Sequence, residues 1–267
     1  MAASVMVLAS GSKGNSTVVA SSSTRILVDA GLSARETFKR LKAIGQDPHA
    51  LSAILISHEH CDHIYGLATL AKKLCIPVYL TEATHQACKK ILRDKLGAAW
   101  QWQKLESFSA GSSFDIGDIA VTPFTIPHDA ADPVAFTFRA EGVKVGICTD
   151  LGYMPRSVRD HIRACDLLMM ESNHDLEMLR IGSYPWSVKQ RVMSRVGHLS
   201  NESLAEFFTN DYDGGAAFVV LAHISEQNNH PEIARGAAER ALERHRTLLH
   251  NRVLLASQTA PLEPICF

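Results

Sequence analysis

The chain has 267 residues, of which 46% are hydrophobic and 21% charged, and its formal net charge is −1. These values are typical of a globular protein with a sizeable core. They argue against a surface that is basic throughout, but they leave room for a local basic groove. No apolar run approaches the roughly 20 residues of a membrane-spanning helix. The N-terminal apolar stretch is too short for a signal peptide and lacks a basic leader.

The cysteines and the overall length narrow the class of protein further. None of the six cysteines forms a Cys-x-x-Cys pair, which favours a reduced protein in the cytoplasm. Cys61 lies among candidate metal ligands, but we expect its side chain to point away from them. The length allows one large domain or two small ones, and no linker, repeat or low-complexity tract stands out.

Strand and helix signals alternate through the first part of the chain. Ser33 and Glu36 form a capping box that begins a helix, and Gly45 ends it. Short strands separated by Gly and Ser turns precede this helix. The elements predicted here are strands 5–9, 17–20 and 25–29, helix 33–45, strand 53–57, helix 64–74, strand 77–80 and helix 82–93.

The middle of the chain is richer in strand signals. Glu141-Gly142 predicts a hairpin turn, and Pro231 is favoured at the first position of a helix. The mixed connections do not suit a doubly wound parallel sheet, so two packed sheets flanked by helices fit better. The elements predicted here are strands 119–126, 134–140 and 143–149, helix 157–165, strand 167–170, two or three helices within 175–210, strand 218–222, a helix from Pro231 and strand 253–257.

The densest group of candidate metal ligands follows strand 53–57 directly. His58, His60, Asp62 and His63 lie within six residues, although the chain has only 13 histidines. Imidazole and carboxylate groups together suit zinc, iron or manganese. Alternation along an extended segment places His58 and His60 on one side, where they can bind one ion. Asp62 and His63 follow at the bend and can reach a second ion.

Further candidate ligands recur at the ends of other apolar strands. Sites in α/β folds gather distant residues at the strand ends of one sheet edge. The polar residues that end predicted strands are Asp29, His58, His128, Asp150, Glu171 and His223.

This ordered series resembles the metallo-β-lactamase superfamily over nearly the whole chain. The matching motifs are Val28-Asp29-Ala30-Gly31, His58-x-His60-x-Asp62-His63, Pro127-His128, Thr149-Asp150-Leu151-Gly152 and Ala222-His223-Ile224-Ser225. Several true β-lactamases of the superfamily use a cysteine where this chain has Asp150, and they usually lack the histidine that corresponds to His63. The pattern is more similar to that of the phosphodiesterases and nucleases.

The resemblance implies a four-layer αββα sandwich as a single domain over residues 1–267, with two divalent metal ions at the sheet edges. One ion would be bound by His58, His60 and His128, and the other by Asp62, His63 and His223. Asp150 would bridge the two ions, and Asp29 would orient ligands. Zinc is the favoured metal, and manganese and iron are also compatible.

One branch of the superfamily is especially similar to this chain. Segments 9–16, 171–175, 184–186, 197–200 and 256–259 resemble the YycJ (WalJ) group of exonuclease-like proteins. Gly197-His198 before His223 also resembles a motif of the tRNA 3′-processing nucleases. The interval from Asp150 to His223 leaves no room for the large domain that related nucleases insert there.

The resemblance suggests catalytic candidates as well as ligands. Two ions would lower the pKa of a water between them, with Asp62 among their ligands. His198 would donate a proton to the leaving oxygen, and Glu171 would orient His198. A histidine without chemistry at the start of a helix is the alternative for His198.

Substrate contacts are harder to predict than ligands. Loop 10–16, with Ser12 and Asn15, could cradle a phosphate, although a plain turn is an equal alternative. His174, with Asn173 and Arg180, could line the cleft. Trp186 could stack on a base or lie in the core.

The leading hypothesis for function is a dinuclear metal-dependent phosphodiesterase or nuclease. We expect a 5′ to 3′ DNA exonuclease, with DNA favoured over RNA, no membrane partner and the oligomeric state left open. The alternative is a hydrolase of a small cyclic phosphodiester, lactone or thioester. A di-iron redox or sensory protein is disfavoured because no flavin or second cofactor module is evident.

Overall fold

The computed structural model describes residues 3–97, 101–243 and 251–267, and within them two seven-stranded sheets pack face to face. In spatial order the first sheet consists of β14 (Ile265–Cys266), β1 (Ser4–Ala9), β2 (Ser16–Ala20), β3 (Arg25–Val28), β4 (Ala53–Leu55), β5 (Val78–Thr81) and β6 (Leu105–Phe108). The second sheet consists of β13 (Arg252–Leu255), β12 (Phe218–Ala222), β11 (Leu167–Glu171), β10 (Val143–Cys148), β9 (Val134–Ala140), β8 (Ile119–Thr125) and β7 (Phe114–Ile116).

Helices form the two outer layers of the sandwich. They are α1 (Ala34–Ala43), α2 (Cys61–Ile64), α3 (Leu67–Leu74), α4 (Glu82–Leu96), α5 (Arg156–Ile162), α6 (Leu176–Ile181), α7 (Trp186–Val192), α8 (Asn201–Asn210) and α9 (Pro231–Leu242), with a 3₁₀ turn at Pro48–Ala50. Residues of α1, α3 and α4 pack on the first sheet, and residues of α5, α8 and α9 pack on the second. The predicted αββα sandwich is therefore confirmed.

Both sheets are mixed, which excludes the doubly wound parallel alternative. Strands β3 to β6 pair in parallel, whereas β14, β1, β2 and β3 pair antiparallel. The second sheet repeats this arrangement, with β10 to β13 parallel and β7 to β10 antiparallel. The parallel strands bring their carboxyl ends to one edge, where polar residues follow them.

Alternation along the strands separates the core between the sheets from the cores under the helices. Ile26 and Val28 of β3 join the cluster between the sheets, and Leu27 joins the cluster beneath α1 and α3. Successive side chains of a strand point to opposite faces, so one buried strand contributes to two apolar layers. This explains why the central strands are almost continuously apolar.

The hairpin turn between β9 and β10 is confirmed. Glu141 and Gly142 have φ angles of 52° and 82°, and a two-residue type I′ turn requires positive φ at both positions.

The predicted helix 64–74 is interrupted, because α2 ends at Ile64 and α3 begins at Leu67. The break lies at Gly66, whose N–H donates to Ala30 O at 2.8 Å. A Cβ at this position would lie 2.0 Å from the carbonyl oxygen of Leu32. Only glycine allows the two segments to approach so closely.

Other differences concern weakly patterned segments. Strands β6, β7 and β14 were not predicted, and β6 and β7 carry exposed polar residues while β14 has two residues. Region 175–210 contains three helices, which agrees with the prediction of two or three. Trp186 is 64% exposed, so its placement in the core is wrong. No helix among the described residues is long and apolar enough to cross a bilayer.

We expect Phe136→Ala to destabilise the sandwich strongly. Phe136 is 1% exposed, and its ring lies 6.0 Å from the rings of Phe108 and Phe138 between the sheets. Removing a buried phenyl ring costs about 3–5 kcal/mol of unfolding free energy, which urea denaturation followed by circular dichroism will measure. The control is Ile181→Ala, at a side chain that is 70% exposed. Equal losses for the two variants would contradict this account of the core.

Candidate metal centre

The candidate ligands meet at one edge of the sandwich, and both sheets contribute to them. Asp29 and His58 follow β3 and β4 of the first sheet, and the remaining strand-end candidates belong to the second sheet. Those of the second sheet are His128 after β8, Asp150 after β10, Glu171 at the end of β11 and His223 after β12. The prediction that these strand ends converge is confirmed.

Three of these strand-end residues have left-handed backbone conformations. The φ angles are 59° at Asp29, 60° at Asp150 and 52° at His223. Asp and His are among the few residues other than glycine that enter this region with some frequency. Such backbone strain at a strand end is typical of functional sites, where surrounding structure holds it in place.

The side chains form overlapping groups with the spacing of metal ligands. In each group the ligand atoms lie within 4.8 Å of one another. His58, His60 and His128 form one group, and Asp62, His63 and His223 form another. Asp150 groups with His58 and His63, and it also groups with Glu171, His198 and His223. Asp150 therefore adjoins both of the triads that the sequence predicted.

Buried polar atoms in these groups lack well-formed hydrogen bonds. His58 Nε2, His223 Nε2 and Asp150 Oδ2 are buried without a hydrogen-bond partner among the described residues, although Asp150 Oδ2 lies 3.2 Å from His63 Nε2. Leaving such an atom unsatisfied costs about 1–3 kcal/mol. Metal bound within these groups would remove that cost, so the residues present fit a bound metal.

The pKa directions show a strongly negative environment around part of the cluster. Burial disfavours the charged form of His63, but Asp29, Asp150 and Asp62 outweigh burial and raise the pKa of His63 well above its usual value. In the same way, Asp150 and its neighbours raise the pKa of His223 against the effect of burial. These carboxylates favour positive charge at positions that a proton and a metal ion would compete to occupy.

Hydrogen bonds to Nδ1 orient three of the histidines so that Nε2 faces the cluster. His63 Nδ1 lies 2.8 Å from Asp29 Oδ2, and Asp29 Oδ1 accepts from the backbone N–H of Ser57 at 2.9 Å. His128 Nδ1 lies 3.1 Å from the carbonyl oxygen of Gly197. His223 Nδ1 lies 2.8 Å from Glu171 Oε1. Partners of this kind fix the tautomer and ring angle of a metal-binding histidine.

Glu171 is the buried centre of a second network. Its Oε1 lies 2.8 Å from Nδ1 of both His198 and His223. Its Oε2 accepts from the backbone N–H groups of Leu151 at 2.7 Å and Leu199 at 3.1 Å. Glu171 thereby holds the loops next to Asp150 and His198 and contacts the His198 ring directly.

His198 lies on the more open side of the cluster. Its ring centroid is 5.3 Å from that of His128 and 5.0 Å from that of His223. The His198 side chain is 16% exposed, whereas those of the two neighbouring histidines are almost fully buried. Because Nδ1 faces Glu171, Nε2 is the nitrogen of His198 that stays available for other partners.

Loop 10–16 packs against the candidate ligands and forms hydrogen bonds with Asp62 and His223. The sequence did not predict this contact for Asn15. Asn15 is buried, and its Nδ2 donates to Asp62 Oδ2 at 3.0 Å while its Oδ1 accepts from Gly11 N at 2.9 Å. Ser10 Oγ accepts from the backbone N–H of His223 at 2.8 Å. Asn15 thus contacts a candidate metal ligand directly, and its contact with substrate stays a prediction. Ser12 is exposed at the tip of the loop.

Two further residues explain how this loop is fixed, and neither was predicted as a site residue. Gln258 Oε1 accepts from Lys13 N at 2.7 Å, and Gln258 Nε2 donates to Gly14 O at 3.0 Å. Gly31 approaches the ligand loop so closely that a Cβ there would lie 1.7 Å from Asp62 O. Segment 256–259, which contains Gln258, resembles the YycJ (WalJ) group, but its contact with loop 10–16 spans almost the whole chain and no local pattern predicts that contact.

Two of the three other predicted substrate residues are buried. His174 is buried, and burial lowers its pKa to about 4, so its ring is neutral at pH 7. Asn173 is also buried and donates to the carbonyl oxygen of His223 at 2.9 Å. Arg180 is exposed and pairs with Glu177. The structure thus places His174 and Asn173 inside the protein. Asn173 contacts the His223 segment, whereas the backbone of His174 accepts from Asn201 N at 2.9 Å.

Comparisons with known proteins agree with this geometry. A family model described as the beta-lactamase superfamily domain matches residues 24–224. Exodeoxyribonuclease YycJ of Bacillus anthracis is 40% identical over 89% of this chain and 88% of its own, and exodeoxyribonuclease WalJ of Streptococcus pneumoniae serotype 2 is 39% identical over 85% of this chain and 84% of its own.

Among solved structures, the metallo-β-lactamase fold protein YhfI of Bacillus subtilis superposes with a TM-score of 0.69. The two chains are 18% identical, and the match covers 97% of this chain and 99% of YhfI. Together, the fold and the cluster of histidines and carboxylates imply that the edge of the sandwich binds divalent metal.

We expect Asp29→Asn to weaken metal binding without unfolding the protein. The change keeps the shape of the side chain but removes the carboxylate that orients His63, and losing such a partner typically costs 10- to 100-fold in metal affinity. Competition between the protein and a chelator for zinc will measure the affinity. Asp115→Asn, at an exposed aspartate on β7, is the matched control. Unchanged zinc affinity in Asp29→Asn would contradict the orienting role.

Proposed function

The chain belongs to the metallo-β-lactamase superfamily, in the group of the YycJ and WalJ exodeoxyribonucleases, and on this premise we propose that it is a dinuclear metal-dependent exonuclease acting on DNA. The observation that carries the proposal is the position of Asp150, which adjoins both the histidine triad of His58 and the group of His63. A carboxylate between two ligand groups is the arrangement that holds two ions side by side.

The charge of the cluster supports two ions. Four carboxylates of the site are largely buried, namely Asp29, Asp62, Asp150 and Glu171. Buried charges require compensation by opposite charge, and two divalent cations would supply it. His58, His60 and His128 would hold one ion, Asp62, His63 and His223 the other, and Asp150 both.

The donor set favours zinc. The ligand groups contain only imidazole and carboxylate donors, which zinc accepts readily and which manganese and iron also accept. Because ligands from both sheets serve one site, we also infer that residues 1–267 form a single domain. The six cysteines are free thiols, which fits a reducing compartment, and we infer a cytoplasmic location.

When bound, such a pair of ions activates water and stabilises charge on a phosphate group. The remaining chemistry belongs to the protein's own side chains. His198 would deliver a proton from Nε2 to the leaving oxygen, and the Glu171 carboxylate at 2.8 Å would hold the ring with Nδ1–H toward itself. The same carboxylate oxygen contacts His223 Nδ1. Glu171 would therefore fix the position of the proton donor His198 relative to the metal ligand His223.

The names of the relatives favour nucleic acid over the small-molecule alternatives. Both curated relatives are exodeoxyribonucleases, which supports DNA over RNA as the substrate. We propose degradation in the 5′ to 3′ direction. Hydrolysis of a small cyclic phosphodiester, lactone or thioester is the competing activity, and it would respond far less to added salt than cleavage of a polyanion.

The activity test uses metal-reconstituted protein and end-labelled oligonucleotides. We expect hydrolysis of linear single- or double-stranded DNA, slower hydrolysis of matched RNA and none of a closed DNA circle. A 5′ label should appear at once as mononucleotide, whereas a 3′ label should stay on shortening fragments. Asp62→Ala/His63→Ala is the inactive control. Hydrolysis of a cyclic dinucleotide with no cleavage of DNA or RNA above this control would refute the proposal.

For His198→Ala we expect two bound metal ions per chain and a kcat on DNA about 10²- to 10⁴-fold lower, because the leaving oxygen lacks its proton donor. The loss should be much smaller with bis(p-nitrophenyl) phosphate, because p-nitrophenolate departs without a proton. Metal content by mass spectrometry and kcat on both substrates will separate these effects. His49→Ala, at an exposed histidine outside the cluster, is the control. Equal losses on both substrates would remove His198 from the proton-donor role.

A further inference from the structure

A groove of about 340 Å³ lies beside the metal centre, on the helix layer of the first sheet. It is formed by the first turn of α1, the junction between α2 and α3, and the end of α4. Among its lining residues are Arg35, Tyr65, Lys73 and Lys95. Nothing in the proposed catalytic chemistry uses these four side chains.

The groove is positively charged, although the whole chain has a formal net charge of −1. Arg35, Lys73 and Lys95 line it, and no acidic residue does so among the described residues. Among the residues that the structure describes, Arg35, Lys73 and Lys95 form no ion pair with a carboxylate. A local excess of unpaired cations attracts polyanions.

A second groove of the same protein shows that this charge is not a general property of its surface. That groove, of about 510 Å³, lies between α8 and α9. Asp175, Glu202 and Glu206 line it together with a single cation, Arg240. A polyanion approaching the protein therefore meets attraction at the first groove and repulsion at the second.

Tyr65 adds an aromatic surface to the basic groove. It is 55% exposed, and Lys95 Nζ lies 4.3 Å from the centre of its ring. Exposed aromatic rings next to cations are how proteins bind single-stranded nucleic acids, because bases stack on the ring while cations contact phosphates. Neither an acidic peptide nor a lipid surface offers flat bases to such a ring.

The groove is continuous with the metal centre through the backbone. Tyr65 follows His63 by two residues and directly succeeds α2. Gly66 N donates to Ala30 O at 2.8 Å, and Ala30 N donates to His63 O at 2.8 Å. These backbone hydrogen bonds fix the segment that carries Tyr65 relative to the segment that carries His63.

We propose that this groove binds the single-stranded part of a nucleic-acid substrate beyond the scissile phosphate. Arg35, Lys73 and Lys95 contact its phosphates, and Tyr65 stacks on one of its bases. This inference rests on the proposed nuclease function and adds to it the surface that distinguishes a polynucleotide from a small phosphodiester.

The first test compares two triple variants. Arg35→Ala/Lys73→Ala/Lys95→Ala removes the groove cations, and Lys42→Ala/Lys72→Ala/Lys90→Ala removes one exposed lysine from each of the same helices without touching the groove. For a 12-nucleotide single strand we expect a KM at least tenfold higher in the groove variant, with kcat on bis(p-nitrophenyl) phosphate unchanged. The slope of log Kd against log salt should fall by about 2, because three phosphate contacts of about 0.7 each are lost.

The second test addresses stacking. Tyr65→Ala should weaken binding of the 12-nucleotide strand roughly tenfold, whereas Tyr65→Phe should retain it, since stacking needs the ring and not the hydroxyl. Binding by fluorescence anisotropy and thermal unfolding of each variant will separate lost contacts from lost folding.

The outcomes separate this inference from the proposed function. If the wild-type protein cleaves no nucleic acid, the proposed function is wrong, and the inference about the groove is wrong with it. If the wild-type protein cleaves DNA and the two triple variants behave alike, the groove inference alone is wrong. Loss of binding to anionic vesicles or to an acidic peptide, with unchanged DNA binding, would also overturn it by assigning the groove to another partner.

Discussion

The structure depends on bringing four buried carboxylates and six histidines to one edge of a sandwich. Like charges at such short range repel in a poorly solvated site. The hydrogen bonds from Ser57 to Asp29, from Asn15 to Asp62 and from two backbone amides to Glu171 reduce that cost. They do not cancel it, because one carboxylate oxygen, Asp150 Oδ2, is left without a hydrogen-bond partner among the described residues. Divalent metal would complete the arrangement, and the sheets, left-handed strand ends and close backbone approaches hold its candidate ligands in place.

Much of the site could be predicted because its ligands leave local signals. The signature from His58 to His63 is contiguous, and Asp150 and His223 each end an apolar strand, so pattern and resemblance identified them together. The alternation of strands and helices favoured two packed sheets flanked by helices, and the resemblance implied the αββα sandwich. Gly66 shows the limit of this approach, because nothing in the helical pattern around it reveals that Leu32 will pack against its backbone.

The residues that were missed act over long distances or through burial. Asn15 was predicted to contact substrate or to form part of a plain turn, and neither prediction anticipated that its amide contacts Asp62, which is 47 positions away. His174 was expected at the substrate, but the segment after β11 carries it into the interior. The basic groove could not be predicted from the sequence, because its cations belong to three different helices. Only the packing of those helices brings the cations together. Ligands thus leave stronger local signals in the sequence than the residues that position them.

The ligands come from both halves of the sandwich, and this has a mechanical consequence. His58 follows a strand of the first sheet and His128 follows a strand of the second. An ion bound by both would therefore cross-link the two sheets. Apart from such an ion, the inner faces are joined mainly by apolar packing, which has no fixed direction. Metal occupancy would then couple to the folding equilibrium, contributing about 2.7 kcal/mol when free metal is 100-fold above its Kd. The supply of metal in the cell would set the lifetime of this protein as well as its activity.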